Sequence, residues 1–125
     1  MTQKFIIGDI VEYDNKIMVV KEPRDGSHFD LSCHNEGLVY CFVDIDEIKP
    51  VSLTPAILEK NGWDKERYGL VYYKKVSETL FFRLIGKSYG WTLRCGNQNL
   101  IEKLEFVHQL QNLLFGLGLN SEMEV

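Results

Sequence analysis

No two cysteines in this 125-residue chain are spaced as CxxC, and the total of three, Cys33, Cys41 and Cys95, is odd. That pattern gives no disulfide framework and suits free thiols in a reducing compartment. Each cysteine falls in a strand-like run, where the residue serves as a small hydrophobe. His28, Cys33, His34 and Cys41 can be drawn as four zinc ligands, yet their spacing matches none of the arrangements that close a tetrahedral site. No metal and no cofactor is therefore expected. No apolar run approaches the roughly 18 residues of a membrane span. The opening Met1-Thr2-Gln3-Lys4 leads into a strand-like segment without the apolar stretch of a signal peptide. The expectation is a cytoplasmic protein with no membrane partner. A P-loop, a dinucleotide fingerprint, a nucleophile elbow and a zinc-protease motif are all missing. So are internal repeats, low-complexity tracts and flexible linkers.

What the chain does have is an ordinary globular composition, 45% apolar, and enough length to bury a core unaided by disulfides or metal. Its net charge of −4 is uneven. Residues 1–50 carry five basic side chains against ten acidic ones, a balance of −5. From Lys60 to Lys103 the count is nine against four, a balance of +5. An acidic front repels a phosphate backbone, whereas the middle tolerates one.

Up to about Leu53 the sequence reads as short strands between turns. Ile10-Val11-Glu12-Tyr13 and Ile17-Met18-Val19-Val20-Lys21 flank Asp14-Asn15-Lys16, residue types whose side chains bond nearby backbone and tolerate left-handed geometry. Pro23-Arg24-Asp25-Gly26-Ser27 is a second turn, with Gly26 free to take positive φ. Phe29-Asp30-Leu31-Ser32-Cys33 alternates as a half-buried strand does. Asn35-Glu36-Gly37 turns the chain into Leu38-Val39-Tyr40-Cys41-Phe42-Val43. Strands at turn spacings of about ten residues predict a small antiparallel barrel, and the order resembles an SH3-like barrel over residues 1–53.

Residues 54–125 form the second predicted module, the two together making one unit. Thr54 is an N-cap with Pro55 at the first helical position, where its missing N–H is harmless. Leu53 and Leu58 form a hydrophobic staple. Gly62 stops the helix in the left-handed conformation and lets Trp63 fold back on Leu58, which predicts a helix over 55–61. From Tyr68 to about Lys103 come β-branched and aromatic runs separated at Ser77-Glu78, Gly86-Lys87-Ser88 and Gly96-Asn97-Gln98-Asn99. They predict a meander of three strands, four if Leu100 to Lys103 pairs too. One face collects Tyr72, Phe82 and Trp91. Phe106, Val107, Leu110, Leu113, Leu114 and Leu117 then make the apolar stripe of a last helix packed on the meander, with a fraying tail from Asn120. The predicted class is α+β.

Two stretches resemble a family of short, uncharacterised proteins of Bacteroides-type bacteria and their mobile elements. One is Val51-Ser52-Leu53-Thr54-Pro55 with Leu58 and Gly62-Trp63. The other is His108-Gln109-Leu110-Gln111-Asn112-Leu113 in the last helix. Together they span about residues 45–119, with Leu114 and Gly116 standing where the family often has an aromatic and an alanine. The resemblance implies the order of elements and a mobile-element or phage setting. It carries over no activity and no catalytic residue.

On this evidence the leading expectation is a non-enzymatic accessory protein whose partner is another protein. The runner-up is a nucleic-acid-binding module in which meander aromatics stack bases beside Lys74, Lys75, Arg83, Lys87 and Arg94, a reading that the overall acidity weighs against. A small-molecule enzyme comes third. His108, Gln111 and Asn112 share a helix face, but a general base needs an orienting carboxylate, for which the sequence offers only Glu105. Asp44, Asp46 and Glu47 lack the spacing of a calcium loop and read as a solvated strand end.

Overall fold

Two-residue turns set the first half of the chain. Asp14 and Asn15 both take positive φ, 53° and 60°, which is the geometry of a type I′ hairpin turn whose twist matches its strands. It joins β1 (Ile10–Tyr13) to β2 (Lys16–Asp25), pairing Tyr13 with Lys16. The next hairpin, to β3 (His28–Cys33), is closed by the Asp25 side chain, which accepts the Ser27 N–H at 2.8 Å. Gly26 does not take positive φ there, and Pro23 and Arg24 stay within β2 instead of turning. The computed structural model describes residues 5–33, 37–67, 69–76 and 78–125. The expected strand entry at Lys4 and turn residues Asn35, Glu36 and Ser77 lie outside these, as do His34 and Tyr68.

β4 (Val39–Asp44) and the two-residue β5 (Lys49–Pro50), separated by a single 3-10 turn at Ile45–Glu47, complete a five-stranded antiparallel sheet. Its order is β4-β3-β2-β1-β5, and this corrects the expected SH3-like barrel. Closure would need β5 to bond to β4, but no such pairing occurs among the described residues. The reason lies just after β5. Pro50 has no N–H to extend a ladder, and the chain then pairs with the other half of the protein. Val107 N–H donates to the Val51 carbonyl at 2.8 Å, Leu53 N–H to the Glu105 carbonyl at 2.9 Å, and Ser52 bridges Phe106. The backbone that a barrel would use for closure is committed elsewhere, so the sheet stays open.

The helix α1 (Pro55–Lys60) starts and stops on local chemistry. Thr54 Oγ1 accepts the Ile57 N–H at 3.3 Å, and Pro55 occupies the first turn. At the far end Gly62, at φ 84°, donates to Glu59 at 3.2 Å while Trp63 N–H reaches Leu58 at 3.0 Å. That pair of bonds is the Schellman motif, which demands a left-handed residue that glycine supplies without strain. Leu53, Leu58 and Trp63 are buried in one cluster.

The second sheet has more strands than the three or four expected. β6 (Asp64–Lys65), β7 (Val71–Lys75), β8 (Phe81–Lys87), β9 (Gly90–Cys95) and β10 (Gln98–Leu104) form an antiparallel meander in the order β10-β9-β8-β7-β6. β10 extends well beyond residues 100–103. β6, only two residues long, carries no periodicity from which to read it. On the inner face, Tyr72, Phe82, Leu84, Trp91 and Leu93 pack with Ile57 and Leu58 of α1 and with Val107, Leu110 and Leu114 of α2 (Val107–Gly116). Trp91 Nε1 donates to the Leu53 carbonyl at 2.9 Å, satisfying the one polar atom of a buried indole.

The open sheet is apolar on both sides. Val11, Met18, Val20, Phe29 and Leu31 face a core with Phe5, Val43, Ile45 and Ile48. Alternate residues Ile10, Ile17 and Val19 face the core shared by the meander and the helices. Period-two alternation puts neighbours on opposite faces, so β1 and β2 stand between two cores. The segment after α2 does not fray as its polarity suggests. Asn61 and Glu124 exchange side-chain and backbone hydrogen bonds at 2.7 and 2.8 Å, and Leu119, Met123 and Val125 pack against the core. No helix among the described residues is long and apolar enough to cross a membrane.

Candidate interaction surfaces

The five basic residues singled out in the meander do not share one face. Register places Arg83 of β8 directly between Tyr73 of β7 and Arg94 of β9. Lys75 and Lys87 follow the same side of the sheet by alternation. Lys74 points to the other side, where its Nζ donates to the Asn61 carbonyl at the end of α1 at 3.0 Å; a cation there suits the negative end of a helix. The aromatics divide likewise. Tyr72, Phe82 and Trp91 are buried and cannot stack on anything external, so the outward aromatics of the strands are Tyr73 and Phe81, with Tyr89 exposed in the β8–β9 turn. Arg83 Nε is bonded to Glu66 at 2.8 Å, and Arg94 Nε is buried without a partner among the described residues.

A second surface lies at the β4 edge of the open sheet. Leu38, Val39 and Phe42 are exposed there, and Cys41 is exposed beside them, unlike the buried strand position its neighbours suggest. Between the pairs Phe29↔Val43 and Leu31↔Tyr40 the register slips, so Cys41 and Phe42 together oppose Asp30. This is a β-bulge, and it holds Phe42 at φ 59°, which is rare for an aromatic residue. The bulge is pinned from beneath. Asp30 is buried, accepts the Phe42 N–H at 3.0 Å and bonds Arg24 Nε at 2.8 Å. The bond from Arg24, followed by that from Phe42, holds the Asp30 carboxyl below the usual range. On the surface the Phe42 ring lies 4.7 Å from that of His28. Asp25 bonds His28 Nδ1 at 3.0 Å, with Asp44 4.0 Å from Nε2.

Asp44 itself caps the 3-10 turn by accepting the Asp46 N–H at 2.9 Å, a structural task, and no group of side chains suited to a metal occurs among the described residues. Sequence reasoning missed the Arg24–Asp30–Phe42 arrangement because strict alternation turns Asp30 outward. The available signal was an arginine placed to reach it across the hairpin.

The α2 face is structural in geometry. His108 is buried between Phe5 (ring centroids 5.1 Å apart) and Phe106 (5.9 Å, stacked), and its Nδ1 has no partner among the described residues. Desolvation lowers its pKa, disfavouring the charged imidazolium. Glu105 lies 3.5 Å from Lys103, and no hydrogen bond joins it to His108 among the described residues. Gln111 instead ties the two halves together. Its Oε1 accepts the Ile10 N–H at 2.9 Å, and its Nε2 donates to Gly8 at 3.1 Å and Ser121 at 3.2 Å. Gln109 Oε1 accepts the N–H groups of Glu105 and Phe106 at 2.8 and 3.0 Å, capping the helix start.

Close to that junction, Asp9 is only 1% exposed and accepts the Ile6 N–H at 2.8 Å. Burial pushes its carboxyl up to about 6. Its neighbours Gly8 and Ile10 bond to Gln111 of α2, which sets it at the joint between the halves. Comparison with protein-family models, with curated proteins and with solved structures finds no match to this chain.

Proposed function

We propose that the protein is a non-enzymatic accessory protein that binds another protein through the β4 edge of its open sheet. The observation that carries this reading is Phe42. It is 58% exposed and held at φ 59° by a buried carboxylate. A non-glycine residue in that conformation stores about 1–3 kcal/mol of strain, and burying the Asp30 carboxylate beneath it is itself unfavourable unless it is paired. The internal packing gains little from this, since the ring points away from the core. Strain of that kind, held by fixed groups around it, supports reading the edge as a binding surface.

Phe42 offers a rigid aromatic anchor of the sort that dominates protein interfaces, flanked by Val39 at 59% exposure. Asp25 and Asp44 flank the His28 ring against which it lies, so a partner with an apolar pocket and a basic rim complements it. The resemblance to short mobile-element proteins agrees with an accessory role. The test compares wild type with Phe42→Ala and Val39→Lys in pull-downs from the native host, quantified by mass spectrometry. The same protein should be captured by wild type and lost from both variants, each checked for a native melting curve. A partner retained equally by Phe42→Ala overturns this assignment of the surface.

A further inference from the structure

The outer face of the second sheet sets Arg83, Arg94, Lys75 and Lys87 beside two carboxylates, Glu66 and Asp64, the latter cross-strand from Tyr73. Arg83 and Arg94 are direct cross-strand neighbours, and like charges in that position repel. Arg83 is shared with a single carboxylate, Glu66, while the buried Nε of Arg94 has no acceptor among the described residues. A buried, unsatisfied guanidinium donor is expensive to maintain. Tyr73 flanks Arg83 in the same cross-strand row. Phe81, 49% exposed, precedes Arg83 by two residues on the same side, with Lys75 opposite it. Lys87 closes the other end of β8. From Phe81 to Lys87 the strip runs about 20 Å, with two guanidiniums at its centre, aromatics beside them and a lysine at each end.

We infer that this face binds single-stranded nucleic acid, with phosphates on Arg83 and Arg94 and bases stacked on Tyr73 and Phe81. Phosphate oxygens offset the repulsion within the crowded guanidinium pair. Exposed Phe81 and half-buried Tyr73 select a single strand, since a duplex keeps its base faces inside its own stack while a single strand offers them to the protein. The net charge of −4 is no obstacle, because residues 1–50 hold the −5 and residues 60–103 the +5. This site is separate from the β4 edge and stands or falls independently of it. Glu66 is its internal competitor: it positions Arg83 in the free protein and gives way when phosphate arrives.

That competition gives the proposal a sign. In fluorescence anisotropy with a labelled oligothymidylate of about twelve nucleotides, titrated at several salt concentrations, wild type binds. Glu66→Gln binds more tightly, and more so than Asp46→Asn, which removes the same charge from the 3-10 turn beside the other sheet. Arg83→Gln and Arg94→Gln weaken binding and each reduce the salt slope by about 0.7. Phe81→Ala weakens it roughly five- to a hundredfold, the loss of one stacked base, and leaves the slope unchanged. Should Arg94→Gln fail to fold, Arg83→Gln is decisive, because that side chain is 58% exposed and its loss is tolerable. Absence of wild-type binding at low salt, or binding indifferent to both arginines, overturns the proposal. So does preference for a duplex of equal length, or displacement by polyglutamate as effective as by unlabelled oligonucleotide, which would assign the face to an acidic protein instead.

Discussion

Replacing Asp9 by asparagine should stabilise the protein at neutral pH and leave it unaffected, or slightly weakened, in acid. The carboxyl is almost wholly buried, and desolvation raises it from 3.8 to about 6. Between those values the folded state holds the proton and the unfolded state has lost it. Stability therefore falls as pH rises through this window, and the full penalty applies above it. The shift of about two units, at 1.36 kcal/mol each, amounts to roughly 3 kcal/mol. Asparagine does not ionise, and its Oδ1 can still accept the Ile6 N–H. Any deficit of its amide donors adds a constant, independent of pH.

Urea denaturation of both proteins between about pH 4 and pH 8 isolates the effect, because every other titrating group contributes equally to the two. The stability difference, variant minus wild type, should grow with pH across the range by up to about 3 kcal/mol. That moves the midpoint by roughly 1–3 M urea, given the m-values of small domains. A difference that stays flat from acid to neutral would falsify the argument, since it would mean that Asp9 titrates alike in both states.

His108 titrates in the opposite sense. Its folded pKa lies below the ordinary 6.5, so the unfolded chain takes up the proton first and stability is lost as pH falls below about 6.5. His108→Leu should flatten that acid limb in thermal melts, whereas an unchanged limb would rule out a buried neutral imidazole. Gln111→Ala removes the acceptor of the Ile10 N–H and should cost about 1–3 kcal/mol. Hydrogen exchange at the Ile10 amide should accelerate, and protection equal to wild type would show that the tie between the halves is dispensable. Trp63→Ala empties the contact that ends α1 and should cost roughly 3–5 kcal/mol, read as a lowered denaturation midpoint; an unshifted midpoint would contradict the burial of that indole.

The elements legible in the sequence are those whose determinants lie within a few residues. Thr54, Pro55 and Gly62-Trp63 specify α1 through bonds spanning no more than one turn, so start and stop are visible without knowing the rest of the fold. Asp14 and Asn15 do the same for the first hairpin. The amphipathic stripe of α2 and the strand runs of the meander are also local, as is the unequal charge of the two halves. Sorting Lys74 from Arg83 needed one further fact, the pairing register, because a single residue of slip exchanges the faces of a strand. Without it, the five basic side chains could be grouped but not divided between a helix end and an open surface.

What only the tertiary structure decided depends on backbone and side-chain partners far apart in the chain. The barrel failed to close because Val51 and Leu53 bond to Val107 and Glu105, a competition invisible to a reading of residues 1–53 alone. Asp30 is buried because a bulge on another strand offers it an amide, and Asp9 because α2 and the two cores cover the joint around it. Gln111 resembles any polar residue beside an apolar stripe until Gly8 and Ile10 arrive opposite it. Local sequence determined which segments form strands and helices, since propensities, caps and turns act over a few residues. Which polar groups are withdrawn from water, and which aromatics remain in it, was decided by long-range packing, because burial belongs to the assembled surface and not to any one segment.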